Sequence, residues 1–316
     1  MSIGVVIPAY RCADTIARTI GSCLPHVGAQ NIIVAFDGPD EAAERAVRAV
    51  SDELRILVLP NRSGAPACRN AGMALLDAEY VIFLDADDYI EGPMLEGAIR
   101  AAGAEDADVV LSPFCFEFPD GERRLFDPKN LYPALDRVSI IRKWLTGGYT
   151  PPCAVVWRTR FLRAMGGWDE SLAKNQDGDL MYRALMQGAR VAAASQGLGV
   201  YVQSGNPDRI TRSNTERTLR SQLAVLDRVR VNLPKLQNAP SRELSHAYYS
   251  LARLAYEGGA DAIGYRAESR ARELGLVGQT GAPAHVLLAS ILGLRGKQRL
   301  AGFVRRSVRN LAARAR

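Results

Sequence analysis

The chain of 316 residues has little of what marks several large protein classes. Its five cysteines are an odd number with no C-x-x-C spacing, which argues against a zinc ribbon or a secreted disulfide framework. The longest apolar run near the far end, 286–294, is well short of the ~20 residues of a membrane-spanning helix. The first residues have no basic region and no small-residue cleavage site, so we expect no signal peptide. We therefore expect a cytoplasmic protein with reduced thiols, either soluble or attached peripherally to the cytoplasmic face of the membrane.

Acidic residues are absent from residues 274–316, which contain eight cations. The whole chain has 40 basic and 34 acidic residues, and removing this segment leaves 32 basic against 34 acidic residues. The positive charge therefore belongs to the C-terminal segment, and the body is not a general polyanion binder. We expect no nucleic-acid partner, because aromatic residues that would stack on bases are nearly absent from the same segment.

Two common phosphate-binding loops are also absent. The sequence has no G-x-x-x-x-G-K-[ST] loop and no G-x-G-x-x-G after its first predicted strand, which ends in Pro8-Ala9-Tyr10. These absences argue against P-loop NTPases and Rossmann dehydrogenases.

The first hundred residues alternate between apolar strands and amphipathic helices. We predict strands at 3–8, 32–36, 55–59 and 80–84, and helices at 41–50 and at 65–76. A first helix is predicted to be capped by Asp14, with an apolar face made of Ile16, Ile20 and Leu24. Strands this apolar are covered on both faces, as in a parallel sheet. We predict an α/β fold with an open, mostly parallel sheet, helices on both faces and a C-terminal helical extension. A further single strand is predicted over 108–116.

The carboxyl ends of parallel strands form one edge, where ligands bind in open α/β sheets. Asp85, Asp87 and Asp88 directly follow the fourth strand. Three carboxylates so close together repel one another unless a cation offsets their charge. Their oxygen ligands suit Mg²⁺ or Mn²⁺, which would bridge diphosphate oxygens. The alternative interpretation is a solvated acidic turn.

Two further polar residues belong to the same edge. Asp37 follows the second strand and is placed either to bind a base or ribose hydroxyl or to form a turn before Gly38. Arg69 is on a predicted helix, where its guanidinium either faces a phosphate or is an exposed helix cation. The sequence leaves both pairs of alternatives open.

Six segments together resemble the family-two glycosyltransferases. They occur in that family's order, and their co-occurrence is more specific than any one of them. The segments are Val5–Tyr10, Ile32–Gly38, Arg69–Gly72, Phe83–Asp88, Gly166–Leu172 and Gln176–Leu180.

The resemblance implies an A-type glycosyltransferase fold, a Mg²⁺ or Mn²⁺ ion, a nucleotide-sugar donor that is usually UDP-linked, and inversion at the anomeric carbon. It implies a catalytic domain over 1–214, with a nucleotide-binding half (1–105) and an acceptor half (106–214), followed by a helical extension over 215–316. The acceptor it implies is a glycan or lipid-linked molecule in surface polysaccharide synthesis. It implies that the nucleotide is bound by Pro8, Tyr10, Asp37, Arg69 and Asp85, and the metal by Asp87 and Asp88. On the acceptor side it implies Trp168, Asp169 and Gln176. The general base that it implies is Asp177.

The chemistry of an inverting transfer agrees with these roles, because it needs one base for the acceptor hydroxyl and a Lewis acid on the departing diphosphate. Asp177 alternatively stabilises a helix dipole from the first turn.

The chain departs from the family at Arg11, at Gln176 (usually Glu) and after Tyr201, where many members carry a histidine. The Q-x-x-R-W signature of processive synthases is absent, so we expect single additions. A sugar-phosphate nucleotidyltransferase and a non-catalytic nucleotide-sugar or glycan-binding protein remain as alternatives.

The last segment, 285–316, combines apolar residues with its cations. A helix of this composition lies on an anionic membrane surface. The alternatives are a helix packed on the body with a solvated basic face and a frayed terminus.

Overall fold

A computed structural model describes residues 1–203 and 214–314, with side chains described up to residue 302. The chain divides into two compact units. The first comprises Met1–Trp144, Gly148–Ser171 and Gln176–Asn206, and the second Leu145–Gly147, Leu172–Asn175 and Pro207–Arg316. The predicted domain boundary at 214 adjoins residues 204–213, which lie outside the described residues, and it stays a prediction.

Eleven strands are described. They are β1 (Ile3–Ala9), β2 (Ile32–Phe36), β3 (Arg55–Val58), β4 (Tyr80–Phe83), β5 (Tyr89–Glu91), β6 (Val109–Leu111), β7 (Phe114–Glu117), β8 (Arg123–Phe126), β9 (Val155–Arg158), β10 (Val191–Ala193) and β11 (Leu198–Val202). Twelve α-helices are described. They are α1 (Ile16–Cys23), α2 (Glu41–Val50), α3 (Ala65–Leu75), α4 (Met94–Glu105), α5 (Pro128–Leu131), α6 (Arg137–Leu145), α7 (Thr159–Ala164), α8 (Gln176–Met186), α9 (Glu216–Asn232), α10 (Ser241–Gly258), α11 (Asp261–Glu273) and α12 (Pro283–Arg314).

The central sheet has seven strands in the order β10-β6-β9-β4-β1-β2-β3. Its neighbouring strands run parallel except for β9, which is antiparallel to both β4 and β6. Every residue of β1, β2 and β4 is buried, because helices cover both faces of the sheet. The predicted open, mostly parallel α/β sheet is confirmed. The edge strand β3 differs, since its residues are partly or fully exposed.

A second sheet has the order β5-β11-β7-β8. The single strand predicted over 108–116 is wrong, because the chain divides at Ser112-Pro113 into β6 of the central sheet and β7 of the second. Pro113 has no backbone N–H to donate to a ladder, which favours a change of sheet at this residue. The short strand β5 was not predicted.

The predicted apolar face of α1 is confirmed at Ile16 and Ile20, which are fully buried. The predicted cap at Asp14 is wrong, because the helix begins after Thr15 with no side-chain cap. Backbone N–H groups of Thr15 and Ile16 instead donate to the carbonyl of Cys12, which satisfies the first turn.

The second unit is helical. Helix α10 packs against α9, α11 and α12, and α12 is broken at Gly293, whose φ of 69° departs from helical geometry. Among the helices of the described ranges, none combines the length and apolar character needed to cross a membrane.

Candidate active site

The acidic turn (85–88) leaves β4 at the carboxyl end of the central sheet. The hydroxyl of Thr19, on α1, donates to the carbonyl of Asp88 at 2.7 Å. Arg18 Nη2, on the same helix, donates to the carbonyl of Asp87 at 2.9 Å. Helix α1 therefore holds the backbone of the turn, so that its carboxylates are presented from a fixed position.

Asp85 forms an ion pair with a buried arginine. Arg69 Nη2, on α3, donates to Asp85 Oδ1 at 2.6 Å, and the two side chains are 4% and 32% exposed. Burial lowers the pKa of Arg69, but Asp85 and Asp177 outweigh it, so this pKa lies above its usual value and the guanidinium stays charged. The exposed-cation alternative for Arg69 is wrong.

The Arg69 guanidinium also contacts Trp168 and Gln176, two of the residues predicted for the acceptor side. Its carbon lies 4.3 Å from the ring centroid of Trp168, a cation–π arrangement. Nη1 is 3.5 Å from Gln176 Oε1, at the long limit for a hydrogen bond. Arg69 Nε and Trp168 Nε1 are both buried and find no acceptor in the part of the chain that the structure describes. Buried donors of this kind normally have partners, so a ligand oxygen or water is expected beside them.

Asp177 lies in the first turn of α8. Its Oδ1 is buried and receives no hydrogen bond from the residues described. Burial raises the pKa of Asp177 from its ordinary value to about 6, with Arg69 opposing this shift and Asp85 adding to it. A carboxylate with this pKa is ionised at neutral pH and basic enough to take a proton from a hydroxyl in a transition state.

The other two aspartates of the acidic turn differ in exposure. Asp88 is fully buried, and its Oδ1 accepts a hydrogen bond from the backbone N–H of Val202 at 2.9 Å. Asp87 is partly exposed. Asp88 thus ties the end of β11 to the acidic turn, whereas Asp85 and Asp87 reach the solvent.

Asp37, after β2, orders the loop that precedes α3. Its Oδ1 accepts hydrogen bonds from the backbone N–H groups of Ser63 and Gly64, at 2.6 and 3.0 Å. One carboxylate oxygen therefore has a structural partner, as the turn-forming alternative requires, and the nucleotide contact stays a prediction.

Tyr10 follows β1 and is exposed. The guanidinium carbons of Arg11 and Arg62 lie 5.2 and 4.8 Å from the centroid of its ring. Pro8 is buried within β1, so any nucleotide contact it makes is through the strand end rather than an exposed ring. Two cations beside an exposed aromatic ring suit a planar, anionic ligand.

Asn70, next to Arg69 on α3, holds the Trp168 segment in place and was not predicted as a site residue. Its Nδ2 donates to the Trp168 carbonyl at 2.9 Å, and its Oδ1 accepts from the Trp168 N–H at 2.8 Å. Gly167 has φ 64°, and a Cβ there would lie 2.5 Å from Asn70 Oδ1. The approach therefore requires glycine. The only sequence signal for Asn70 was its place beside Arg69 in the quoted segment.

The predicted metal ligands, Asp87 and Asp88, belong to the acidic turn. Among the described residues, no group of three or more His, Cys, Asp or Glu side chains is arranged to hold a metal ion. A Mg²⁺ ion usually takes only one or two protein carboxylates, with phosphate oxygens and waters completing its octahedron. Asp85 and Asp87, both partly exposed, meet that smaller requirement. Arg69 pairs with Asp85 at this turn, and Mg²⁺ or Mn²⁺ remains the predicted ion.

The structure gathers four of the predicted residues around the guanidinium of a fifth, Arg69: Asp85, Trp168, Gln176 and Asp177. Pro8, Tyr10 and Asp37 lie at the ends of neighbouring strands. Asp169 has a local partner, because its Oδ1 accepts from the Ser171 N–H and hydroxyl.

Comparison with solved structures identifies the same fold. The crystal structure of S. aureus TarS residues 1–349 in complex with UDP-GlcNAc superposes with a TM-score of 0.65 at 17% identity, covering 87% of this chain and 81% of that one.

Comparison with sequences identifies the family. The succinoglycan biosynthesis protein ExoO of Rhizobium meliloti (strain 1021) is 29% identical over 220 residues, which are 66% of this chain and 62% of that protein. The Escherichia coli UDP-Glc:alpha-D-GlcNAc-diphosphoundecaprenol beta-1,3-glucosyltransferase WfaP is 31% identical over 90 residues, 28% of this chain and 36% of that protein. The chain thus spans less than two thirds of the length of either relative. The family model described as glycosyl transferase family 2 matches residues 4–161, half of the chain. The chain belongs to glycosyl transferase family 2.

Proposed function

We propose that the protein transfers a sugar from a nucleotide-sugar donor to a hydroxyl of a glycan or lipid-linked acceptor, with inversion at the anomeric carbon. The observation that carries this proposal is the ion pair between buried Arg69 and Asp85, with the buried Oδ1 of Asp177 close enough to raise the pKa of that arginine. A cation for the phosphates (Arg69), a carboxylate (Asp85) and a base (Asp177) thus lie together at the end of a parallel sheet where such sheets bind ligands.

On the donor side, the diphosphate lies against Arg69 and the exposed carboxylates Asp85 and Asp87, and the nucleoside lies toward Tyr10 and Asp37. We propose UDP as the nucleotide, since UDP or a UDP-sugar is named for TarS and WfaP. A Mg²⁺ or Mn²⁺ ion held by Asp85 and Asp87 would offset the charge that develops on the departing diphosphate. A direct ligand role for buried Asp88 is a further part of the proposal.

On the acceptor side, Asp177 takes the proton of the attacking hydroxyl at its Oδ1. Trp168 covers one face of the Arg69 guanidinium. The diphosphate and the acceptor therefore lie on the sides of the guanidinium that the indole does not cover. Gln176 stands where the family usually has glutamate, and it contributes an amide oxygen without a second negative charge beside the base. We propose an acceptor in surface polysaccharide synthesis, because succinoglycan synthesis and a diphosphoundecaprenol acceptor are named for the two relatives.

The first experiment is a thermal-shift titration with UDP, with and without Mn²⁺. A ligand that binds only the native state raises the melting temperature by mass action. We expect a UDP shift that needs Mn²⁺, is lost in Asp87→Asn and is retained in Asp52→Asn, which removes an exposed carboxylate elsewhere in the first unit. A panel of other nucleoside diphosphates in the same assay selects the nucleotide.

Two results of this titration, and one of a separate activity assay, would count against the proposal. No shift with any nucleotide in folded protein would favour a glycan-binding protein without transfer. A shift that Asp87→Asn leaves unchanged would remove the metal assignment. Release of pyrophosphate from a nucleoside triphosphate and a sugar phosphate would indicate a nucleotidyltransferase instead.

We also propose that α12 lies on an anionic membrane surface. One side of its first half packs on α10, where Tyr249 hydrogen-bonds His285 at 3.0 Å and Ala289 is buried. The other side presents exposed apolar residues: Leu287, Leu288, Ile291, Leu292 and Leu300. Arg295 and Arg299 are ion-paired with Asp261. The arginines after residue 302 lie outside the residues whose side chains are described.

Vesicle co-sedimentation tests the membrane contact. We expect binding to mixed phosphatidylcholine–phosphatidylglycerol vesicles that weakens with salt, and less binding to pure phosphatidylcholine. The double substitution Leu287→Ser and Ile291→Ser should remove it. Val277→Ser, which changes an exposed apolar residue outside α12, should not. Equal binding by both variants would refute the proposal.

A further inference from the structure

The second sheet carries a group of partly exposed aromatic rings that the proposed donor and base chemistry does not use. This aromatic cluster consists of Phe116 on β7, Trp144 on α6, Tyr149 in the segment after α6, and Tyr201 on β11. The ring centroid of Phe116 lies 5.7 Å from that of Tyr201 and 6.1 Å from that of Tyr149, and Trp144 lies 6.2 Å from Tyr149.

The cluster borders the apolar core, because the Phe116 ring lies 5.6 Å from that of Phe114 and 5.2 Å from that of Phe126. Phe114, two residues before Phe116 and on the same face of β7, is fully buried and stacks on Phe126 at 5.0 Å. Phe116 and Tyr201 are paired across the parallel strands β7 and β11, near the carboxyl ends of both. Phe114 therefore fills the interior, whereas Phe116 and Tyr201 are partly exposed.

Two connections place the aromatic cluster beside the acidic turn. Val202, next to Tyr201, donates its N–H to Asp88. Cys153 lies four residues after Tyr149, which bounds their separation at about 14 Å. Cys153 lies against β11, because a Cβ at Gly199 would collide with the Cys153 carbonyl, and burial, then Asp88 and Asp85, raise the pKa of its thiol.

A third connection leads to the helix that carries the proposed base. The Trp144 ring lies 6.3 Å from that of Tyr182, and Tyr182 is on α8, whose first turn carries Asp177. The aromatic cluster is thus joined at one side to the acidic turn and at the other to the helix of the base. The acceptor of an in-line displacement must lie between those two groups.

We propose that the aromatic cluster is the acceptor subsite and binds a pyranose ring, an inference that rests on the proposed function. The apolar C–H face of a pyranose fits against an aromatic ring, and ligand sites combine such rings with a few polar groups that fix orientation. Stacking there would present a sugar hydroxyl toward Asp177.

Saturation-transfer NMR with simple pyranosides tests the subsite without knowing the natural acceptor. The probes are methyl β-D-glucopyranoside, methyl β-D-galactopyranoside and methyl N-acetyl-β-D-glucosaminide, each with UDP and Mn²⁺ present. We expect saturation of the ring C–H protons of at least one probe. Tyr149→Ala should weaken its binding about tenfold, as expected for one aromatic contact, and Tyr149→Phe should largely restore it. Tyr265→Ala, an exposed tyrosine of the second unit, is the matched control.

The outcomes separate this inference from the proposed function. UDP binding that is unchanged in Tyr149→Ala, together with lost pyranoside binding, supports both. UDP binding with no pyranoside binding to the wild type, or with pyranoside binding that Tyr149→Ala leaves unchanged, overturns the subsite and leaves the donor site standing. Tyr149-dependent pyranoside binding without any UDP binding supports the subsite and refutes the transferase.

Discussion

The two units of the chain use charged residues in different ways. In the first, Arg69 is buried between Asp85 and an indole ring, and the site around it holds buried donors and one carboxylate oxygen without described partners. In the second, the pair Arg266–Asp227, at 2.7 Å, has its arginine well exposed to solvent. Tyr248 donates to the same aspartate at 2.8 Å.

This difference distinguishes a site from a solvated surface. Exposed ion pairs contribute little to stability, because water screens them and ordering two side chains costs entropy. Buried charges with incomplete pairing cost stability, and proteins retain them where a ligand completes the arrangement. The four tests below ask whether charge in the first unit serves function while charge in the second does not.

The largest effect is expected at the proposed base. Asp177→Asn keeps the shape of the side chain but cannot accept the acceptor proton, so transfer should fall about 10²–10⁴-fold, the usual range for general-base catalysis. The measurement is UDP release from a panel of UDP-sugars, with UDP affinity determined in parallel. Unchanged affinity with lost turnover is the expected pair of results, and turnover within a few-fold of wild type would exclude Asp177 as the base.

Removing the central cation should destabilise the first unit. Arg69→Met leaves Asp85 and Asp177 without their buried partner, and we expect a loss of about 3 kcal/mol in the free energy of unfolding, the usual cost of breaking a buried pair. Arg45→Met removes an exposed arginine that pairs with Glu41 on α2 and should cost under about 0.5 kcal/mol. Chemical denaturation of both variants gives the comparison, and equal losses would mean that Arg69 is no more than a surface cation.

The raised pKa of Asp177 predicts two pH dependences. The base works ionised, so kcat/KM should fall about tenfold per pH unit below a pKa of about 6. Because the folded pKa lies above the ordinary value of 3.8, the native state binds this proton more tightly, and the stability from the protonated carboxyl is lost as pH rises from about 4 to 6. Asp177→Asn, unfolded by denaturant across that range without metal, should lack this loss. An identical pH dependence in both proteins would assign it to another group.

Much of the fold was predictable because local signals agreed with the tertiary structure. Strand β2 and helix α2 have the predicted bounds. The strand is encoded locally by its apolar run, and the helix is capped by Asp40, whose side chain accepts a hydrogen bond from the Ala43 N–H. The strand predicted over 108–116 failed because its two halves pair in different sheets. The three-residue strand β5 depends on pairing with β11, far along the chain, so no short window of sequence predicts it.

The site was predictable only in part, for the same reason. Asp85 and Asp177 were predicted as site residues because they lie in recognisable segments beside a strand end and a helix start. The contact of Asp88 with Val202 joins residues 114 positions apart, and Asn70 meets Trp168 across 98 positions. Contacts of this kind arise from the packing of the folded chain, and hydrophobic periodicity carries no signal for them.

The smallest effect is expected in the second unit and completes the comparison. Glu216 and Arg220, at i and i+4 on α9, form an ion pair whose side chains are both more than half exposed. Glu216→Gln should therefore change the free energy of unfolding by only about 0.3–0.5 kcal/mol, and a double-mutant cycle with Arg220→Gln should give a coupling of the same size that shrinks as salt is added. A coupling that salt leaves unchanged, or that approaches the effect of Arg69→Met, would contradict the distinction between the units. The charges of α9 would then have to be treated as part of a second site rather than as a solvated helix face.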